Sequence, residues 1–518
     1  MQSRSFFRFW FIPAMSFVLW VLAVRSATAG DYDPCENSGG PTALMYEIVF
    51  NSFYSLNSDC YRSRTATHPI VSILSSPQSL GPTMALKAKT QVPAAGDVLI
   101  IGGHGKTTTA IEFYDPNNKS FALTGLTGGP AAAPSVELTK DGSILSMGGL
   151  YLAKPQAGQL PANQAKHYMV FSPSTSAQLY NFKGGTAAAT AGNALNVARA
   201  GYTTTLIAGS GTALDGQVLI AGGFDITTGK PVNTAEIYDP TTQTFTLLAN
   251  SMTDHRALHT ATLLSNGSVL IAGGIDRVAE VLFGLAASAV STNTAEIFSP
   301  ATQTFTALTS TLPQGVAAHT ATVLQDNKIL FTGGFNITPD PFAPFGVTVN
   351  AAAIYDPGTQ TFTTTGNLTD DRMLHTATLL PSGQVLITGG LTTTVSWTID
   401  VATSIASIQS SGSAPRNTAE LYDPNSGTFT CVKGSTSGPP PACVPSMTQA
   451  RAGHSATLFS SGPLVGQVLI AGGWSKSKIE SSAELYNPAA TKTSTNGGFT
   501  KTGSMKTGHT LHSAILLQ

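Results

Sequence analysis

A short apolar run closed by a Gly-Gly doublet recurs seven times along the chain. The copies are VLIIGG from Val98, ILSMGG from Ile144, VLIAGG from Val218 and Val269, ILFTGG from Ile329, VLITGG from Val385 and VLIAGG from Val468. Four consecutive apolar residues before a turn signal read as a strand buried on both faces. A second block follows most doublets: AIEFYDP from Ala110, TAEIYDP from Thr234, TAEIFSP from Thr294, AAAIYDP from Ala351, TAELYDP from Thr418 and SAELYNP from Ser482. Asp then Pro is turn chemistry, because Pro presets φ at the second turn position. The next short strand carries Phe121, Phe245, Phe305, Phe362, Phe429 or Phe499. A third block, such as RALHTATLL from Arg256 or RMLHTATLL from Arg372, alternates small and apolar residues and opens the following unit.

Each unit therefore has four strands, here called a to d, with no helical period between them. One such sheet cannot cover both of its own faces, so the units must pack side by side in a ring. The coupled pattern of Arg-x-x-His, Gly-Gly, Tyr-Asp-Pro and an aromatic resembles the Kelch repeat family over about residues 84–518. That resemblance implies an all-β, seven-bladed β-propeller. The chain ends on HTLHSAILLQ, a strand a with no strand b after it, and the first Gly-Gly strand has only a poor strand a before it. The C-terminal strand is therefore expected to complete the first blade and close the ring. Phe stands on strand d where many Kelch units carry Trp. The second unit is degenerate: Phe171-Ser172-Pro173 takes the turn place, Met169 the Glu place, and its first strand has neither Arg nor His.

The repeats also serve as an internal alignment. Arg199, Arg256, Arg372 and Arg451 occur in the units that carry Glu236, Glu296, Glu420 and Glu484. Where Val316 replaces Arg, Ala353 replaces Glu, and in the closing unit His509 would face Glu112. Residues present or absent together imply a pair, expected to be partly buried and two-pronged across the doublet of its own blade. The series Tyr202, His259, His319, His375, His454 and His512 runs around the whole ring, too dispersed for one metal site. Those residues are expected to hydrogen-bond a neighbouring blade.

The N-terminus divides off. Arg4 and Arg8, the apolar run Phe11–Val24 and Ala27-Thr28-Ala29 form a signal-peptide pattern, which assigns 1–29 to export with cleavage before Gly30. Pro13 and the shortness of the run argue against a membrane anchor. Residues 30–80 form an N-terminal extension whose stretch from Thr42 reads as a short helix, and 81–518 the propeller. Four cysteines in an exported chain suggest the disulfides Cys35–Cys60 and Cys431–Cys443. With 27 basic and 28 acidic residues the chain has no footprint for nucleic acid or a polybasic membrane patch.

Loops b–c and d–a open on one face of such a ring, and the long insertions fall there: Leu150–Lys166, Ile275–Asn293, Phe335–Asn350, Leu391–Asn417 and the Cys431–Cys443 loop. Phe283, Phe335, Phe342, Phe345 and Trp397 make three of them aromatic, and Trp474 and His104 follow their doublets toward the same face. The expected function is that of a secreted, periplasmic or cell-surface binding or scaffold module for a protein or glycan, without cofactor or metal and with no catalytic residue nominated. Two alternatives come from relatives of this propeller: a copper oxidase resembling galactose oxidase, and a periplasmic sugar mutarotase or epimerase. The first needs a Tyr directly before a strand-a His, whereas Leu258, Ala318, Leu374, Gly453 and Leu511 stand there. The second needs free acid–base groups in the central funnel, and beyond insertion residues such as Asp276 and Glu280 the sequence suggests none.

Overall fold

The computed structural model describes residues 56–57 and 91–517, apart from 104–109, 128–133, 154–167, 183–187, 192, 226–229, 282–285, 339–344, 401–404, 433–442, 476–477 and 491–497. The chain is an all-β propeller. Every Gly-Gly strand is the second strand of a four-stranded antiparallel sheet, and seven such sheets are formed among the described residues. The third sheet shows the pattern: Thr203–Leu206, Val218–Ala221, Ala235–Asp239 and Thr244–Leu247 pair in sequence order as strands a to d.

The first sheet is different. Its strand a is Ser513–Leu516, which pairs with Val98–Ile101 in the register Val98 to Leu516. The inner strands are Ser513–Leu516, Ser135–Leu138, Thr203–Leu206, Thr260–Leu263, Thr320–Val323, Thr376–Leu379 and Ser455–Leu458, each lying at a sheet edge. Each neighbours the next, and Ser455–Leu458 neighbours Ser513–Leu516 again. That order of neighbours is the one a closed ring of these sheets requires.

The second sheet corrects the sequence reading. Its strand c is Ala177–Asn181, with Gln178 opposite Ser146 in the place that Glu takes elsewhere and Tyr180 in the tyrosine place. Tyr168–Pro173 instead pairs with Leu150–Ala153 as an insertion hairpin, to which Leu56–Asn57 adds a third strand. The hairpin's FSP copies a repeat turn, and sequence pattern alone did not separate the two.

Apolar clusters lie between neighbouring sheets rather than inside one, as where Ile207, Leu219 and Ile237 pack with Val269, Ile271 and Phe298. Tyr of strand c stacks on Phe of strand d at centroid distances such as 4.7 Å for Tyr238 and Phe245. The doublets are glycine for a steric reason. A Cβ on Gly222 would stand 2.4 Å from the Arg256 carbonyl of the next sheet, and φ there is +65°.

Candidate functional site

Arg and Glu meet as the repeat comparison implies, but deeper and with a different geometry. Arg199, Arg256, Arg372 and Arg451 lie 2.9, 3.0, 2.7 and 2.9 Å from Glu236, Glu296, Glu420 and Glu484. All eight residues are fully buried, not partly. One nitrogen, not two, meets the carboxylate in each pair. Arg256 Nη1 instead donates to the carbonyl of Gly273 at 2.9 Å, the first glycine of its own doublet. The carboxylate is shared too: Glu296 accepts the backbone N–H groups of Thr253 and Asp254. Both side chains of this pair thus have partners beyond each other, as burial of two charges requires, whereas Arg372 Nε and Arg451 Nε in the equivalent pairs are buried without one. In the first sheet His509 Nδ1 meets the Gly102 carbonyl at 2.7 Å and Nε2 lies 3.3 Å from Glu112. Burial pushes the Glu112 carboxyl up, but His509 and the N–H groups of Lys506 and Thr507 outweigh it and hold it below its usual value.

The fifth sheet loses the whole arrangement. Val316 and Ala353 replace the pair, and Pro313, with no N–H to satisfy, stands where the other sheets place a donor to Glu. A cavity of about 20 Å³, lined by Pro313, Val316, His319 and Ala353 among others, remains, room for one water.

The histidines bind their neighbours. Nε2 of His259, His319, His375, His454 and His512 lies 2.8, 3.0, 3.1, 3.1 and 2.9 Å from Thr203, Thr260, Thr320, Thr376 and Ser455 of the preceding inner strand. Tyr202 takes the same part, donating at 2.6 Å to the Met147 carbonyl. These rings staple sheet to sheet. Burial, the leading cause, lowers His259, His375 and His512 to about 3 and His319 to about 4.

On the long-loop face, insertions of three successive sheets join. Ile275–Val281 and Ala286–Ser291 form a hairpin in the fourth sheet's insertion. Phe335–Thr338, Phe345–Thr348, Leu391–Asp400 and Ile405–Pro415 form one sheet drawn from the fifth and sixth insertions. Ser291 bridges them, its hydroxyl donating to the Phe335 carbonyl and accepting from the Ile337 N–H, each at 3.1 Å. Asp371 ties the two insertions by accepting from the hydroxyls of Thr348 and Thr392, with Arg416 at 3.4 Å.

The nominated aromatics divide. Phe335 and Trp474 are 4% and 5% exposed, and both pair through their backbone with the inner segment, at Ala317 and Ala452. They are packing residues, which corrects their place in an exposed patch. The position after the doublet is apolar in other sheets too, with Phe224, Ile275 and Leu391 buried there. Phe345 and Trp397 lie on strands of the joined layer, whereas Phe283, Phe342 and His104 lie outside the described residues. Cys431 and Cys443 are bonded to each other; Cys35, Cys60 and residues 1–29 lie outside the described residues. Asp370 and Glu420 stand near Cys443, but both carboxylates are engaged by Arg372 and the sulfur is in the disulfide.

One inner-strand group escaped the sequence reading. The seven inner strands read SVEL, TTTL, TATL, TATV, TATL, SATL and SAIL, so Glu137 is their single ionisable residue. Thr204 of the next strand donates to Glu137 Oε1 at 2.6 Å. Where Thr204 stands, the following sheets carry Ala261, Ala321, Ala377, Ala456 and Ala514. The hydroxyl thus occurs where it faces the carboxylate. Burial raises Glu137 above its usual value, and the Thr204 bond offsets this only in part.

The Kelch motif model matches residues 209–252, the stretch that holds the third sheet's doublet, its Tyr-Asp-Pro turn and Phe245. Over that stretch the chain carries a Kelch motif. A solved structure titled "Structure of YjhT" is similar to it at 13% identity, covering 72% of this chain and 98% of that one with a TM-score of 0.44. No curated protein matches it.

Within this propeller, the Arg, Glu and His series are built into the framework, and the insertion layer and Glu137 stand apart from it. Glu137 was missed because the second unit was aligned on the wrong strand c, which made its departures look like decay. Had Gln178 been set in the Glu place, SVEL would have lined up with TTTL and shown the substitution.

Proposed function

We propose that this Kelch-repeat protein is an exported binding or scaffold module whose partner, a protein or a glycan, docks on the layer made by the three joined insertions. A Kelch propeller is in general a binding module or scaffold, and the Arg and Glu series are spent on pairs within their own sheets. The observation that carries the reading is the fused sheet: Phe345–Thr348 pairs with Leu391–Asp400 across two sheets of the ring. Loops that only connected strands would not need to build a sheet of their own. The Cys431–Cys443 bond is compatible with an oxidising compartment. Among the described residues no helix is long and apolar enough to cross a membrane.

The test replaces residues 394–412 with a Gly-Ser turn and compares both chains on an immobilised glycan panel and against envelope proteins by surface plasmon resonance. The expected result is loss of the response with an unchanged melting temperature. Equal responses would move the partner off this layer. Intact-mass and elemental analysis of the exported chain tests cleavage before Gly30 and the oxidase alternative together. One equivalent of copper with a mass deficit traceable to a Cys–Tyr link would replace the binding reading with catalysis. The mutarotase or epimerase alternative gains one carboxylate, Glu137, but the inner strands supply it no titratable partner.

A further inference from the structure

We propose that the central channel holds a site for a primary ammonium group, seated on Glu137 and Thr204 between the second and third inner strands. The site lies on the ring's inner edge, apart from the insertion layer. Each inner strand is the edge of its sheet, so its outer backbone groups and the flanking side chains line the channel. Around that ring the inner-strand residues are hydroxyl-bearing or apolar, and Glu137 alone brings a charge.

Glu137 is half-buried, and its bonded partner is the neutral Thr204 hydroxyl. No cation lies within ion-pair distance of it among the described residues, in contrast to Glu236, Glu296, Glu420 and Glu484. A desolvated carboxylate with one neutral donor is costly to the fold, and the repeats show the alternative. The equivalent places hold Thr205, Thr262, Thr322, Thr378 and Thr457, which carry no such penalty. The paired change of Thr to Glu137 and Ala to Thr204 keeps the carboxylate oriented across one interface of the ring. Unmatched, desolvated charge held in place by a neighbour is the pattern of a binding group.

The missing partner must be a cation that donates hydrogen bonds. A divalent metal takes six or more oxygens and usually several carboxylates, and the inner strands offer one. An ammonium carries one charge and three donors, which the two Glu137 oxygens and the Thr204 hydroxyl oxygen can accept. A guanidinium's planar fork takes both oxygens of one carboxylate side by side, and Thr204 already occupies Glu137 Oε1. The ligand class is therefore a primary amine on a slender, uncharged stem, either a free small amine or a lysine side chain of a partner.

The experiment titrates the full exported chain with n-propylammonium chloride by calorimetry at pH 8, against KCl and NaCl at matched ionic strength, and repeats it with Nα-acetyl-lysine methylamide. The expected result is one saturable site for the amine, not reproduced by either salt, and at least ten-fold weaker in Glu137→Thr and Glu137→Gln. Tighter binding of propylammonium than of the lysine derivative assigns the site to free amines, and the reverse order to a lysine side chain. Glu137→Thr installs the residue that five of the other six sheets carry, the first having Ile515, so it is expected to fold, and Glu137→Gln keeps the shape. Thr204→Ala, which leaves the carboxylate but removes the hydroxyl that holds it, is expected to weaken the site less than either Glu137 variant does. No saturable binding, equal binding by K⁺, or undiminished affinity in a folded Glu137 variant would overturn the proposal.

Discussion

Arg256 Nε and Glu296 Oε1 lie 3.0 Å apart with both side chains wholly shielded from solvent. The arginine continues to the Gly273 carbonyl and the glutamate to the N–H of Thr253, so one pair joins strands a and c to the doublet and the loop before strand a. Removing one partner strands the other. Arg256→Leu is expected to cost about 3–5 kcal/mol. The fifth sheet shows a tolerated alternative, Pro313 with Val316 and Ala353. The triple change Thr253→Pro, Arg256→Val, Glu296→Ala is therefore expected to recover more than half of that loss. Urea midpoints of the two variants decide it.

The stapling histidines make the ring acid-sensitive. His259, His375 and His512 are lowered to about 3 and His319 to about 4, from 6.5. The unfolded chain thus binds more protons than the folded one between about pH 6.5 and 3. Their contribution to stability is complete above that window and is lost as pH falls through it. Melting temperature is expected to fall steeply from pH 7 to pH 4.5, and less steeply in His259→Gln. A parallel slope in that variant would contradict the assignment.

Asp97 has the opposite sign. It is 6% exposed beside the seam between Val98–Ile101 and Ser513–Leu516, and burial raises it to about 6 from 3.8. Its contribution is present below pH 3.8 and is lost as pH rises through 6. Asp97→Asn keeps an acceptor for the Ala94 N–H and is expected to raise the melting temperature at pH 8 but not at pH 4. Differential scanning calorimetry at the two values reads the difference.

Cys431 and Cys443 are 12 residues apart and tie the outer strand of the sixth sheet to the loop after it. Closing a loop of that length restricts the unfolded chain by about 3 kcal/mol. The Cys431→Ser, Cys443→Ser variant is expected to lose up to that amount, as is the wild type under reductant. Loss in only one of the two would place the effect elsewhere than in the bond.

The framework was legible in the sequence because it repeats. Arg256 with Glu296 and Val316 with Ala353 vary together, and covariation within one chain reports contact. The pair's depth and its single-pronged geometry were not legible, since they depend on where backbone N–H groups such as that of Thr253 fall. Phe335 and Trp474 read as surface aromatics because they open insertions, although the position after a doublet turns inward against Ala317 and Ala452. Glu137 was hidden by the hairpin Tyr168–Pro173, which mimics strand c of a repeat. Local pattern cannot tell a repeat strand from an inserted copy when pairing decides between them.

The pairing of Val98–Ile101 with Ser513–Leu516 also sets a timetable for biosynthesis. On a chain made from its N-terminus, the first Gly-Gly strand emerges early and waits for more than four hundred residues of synthesis before its inner neighbour exists. Through that interval one edge of the sheet remains open to any extended segment nearby, the chain's own later repeats included. Those repeats are near copies of its true partner: TATL, SATL and SAIL differ by a residue or two. The arrival of Ser513–Leu516 is therefore a proofreading moment, in which that strand must displace whatever imitation arrived first.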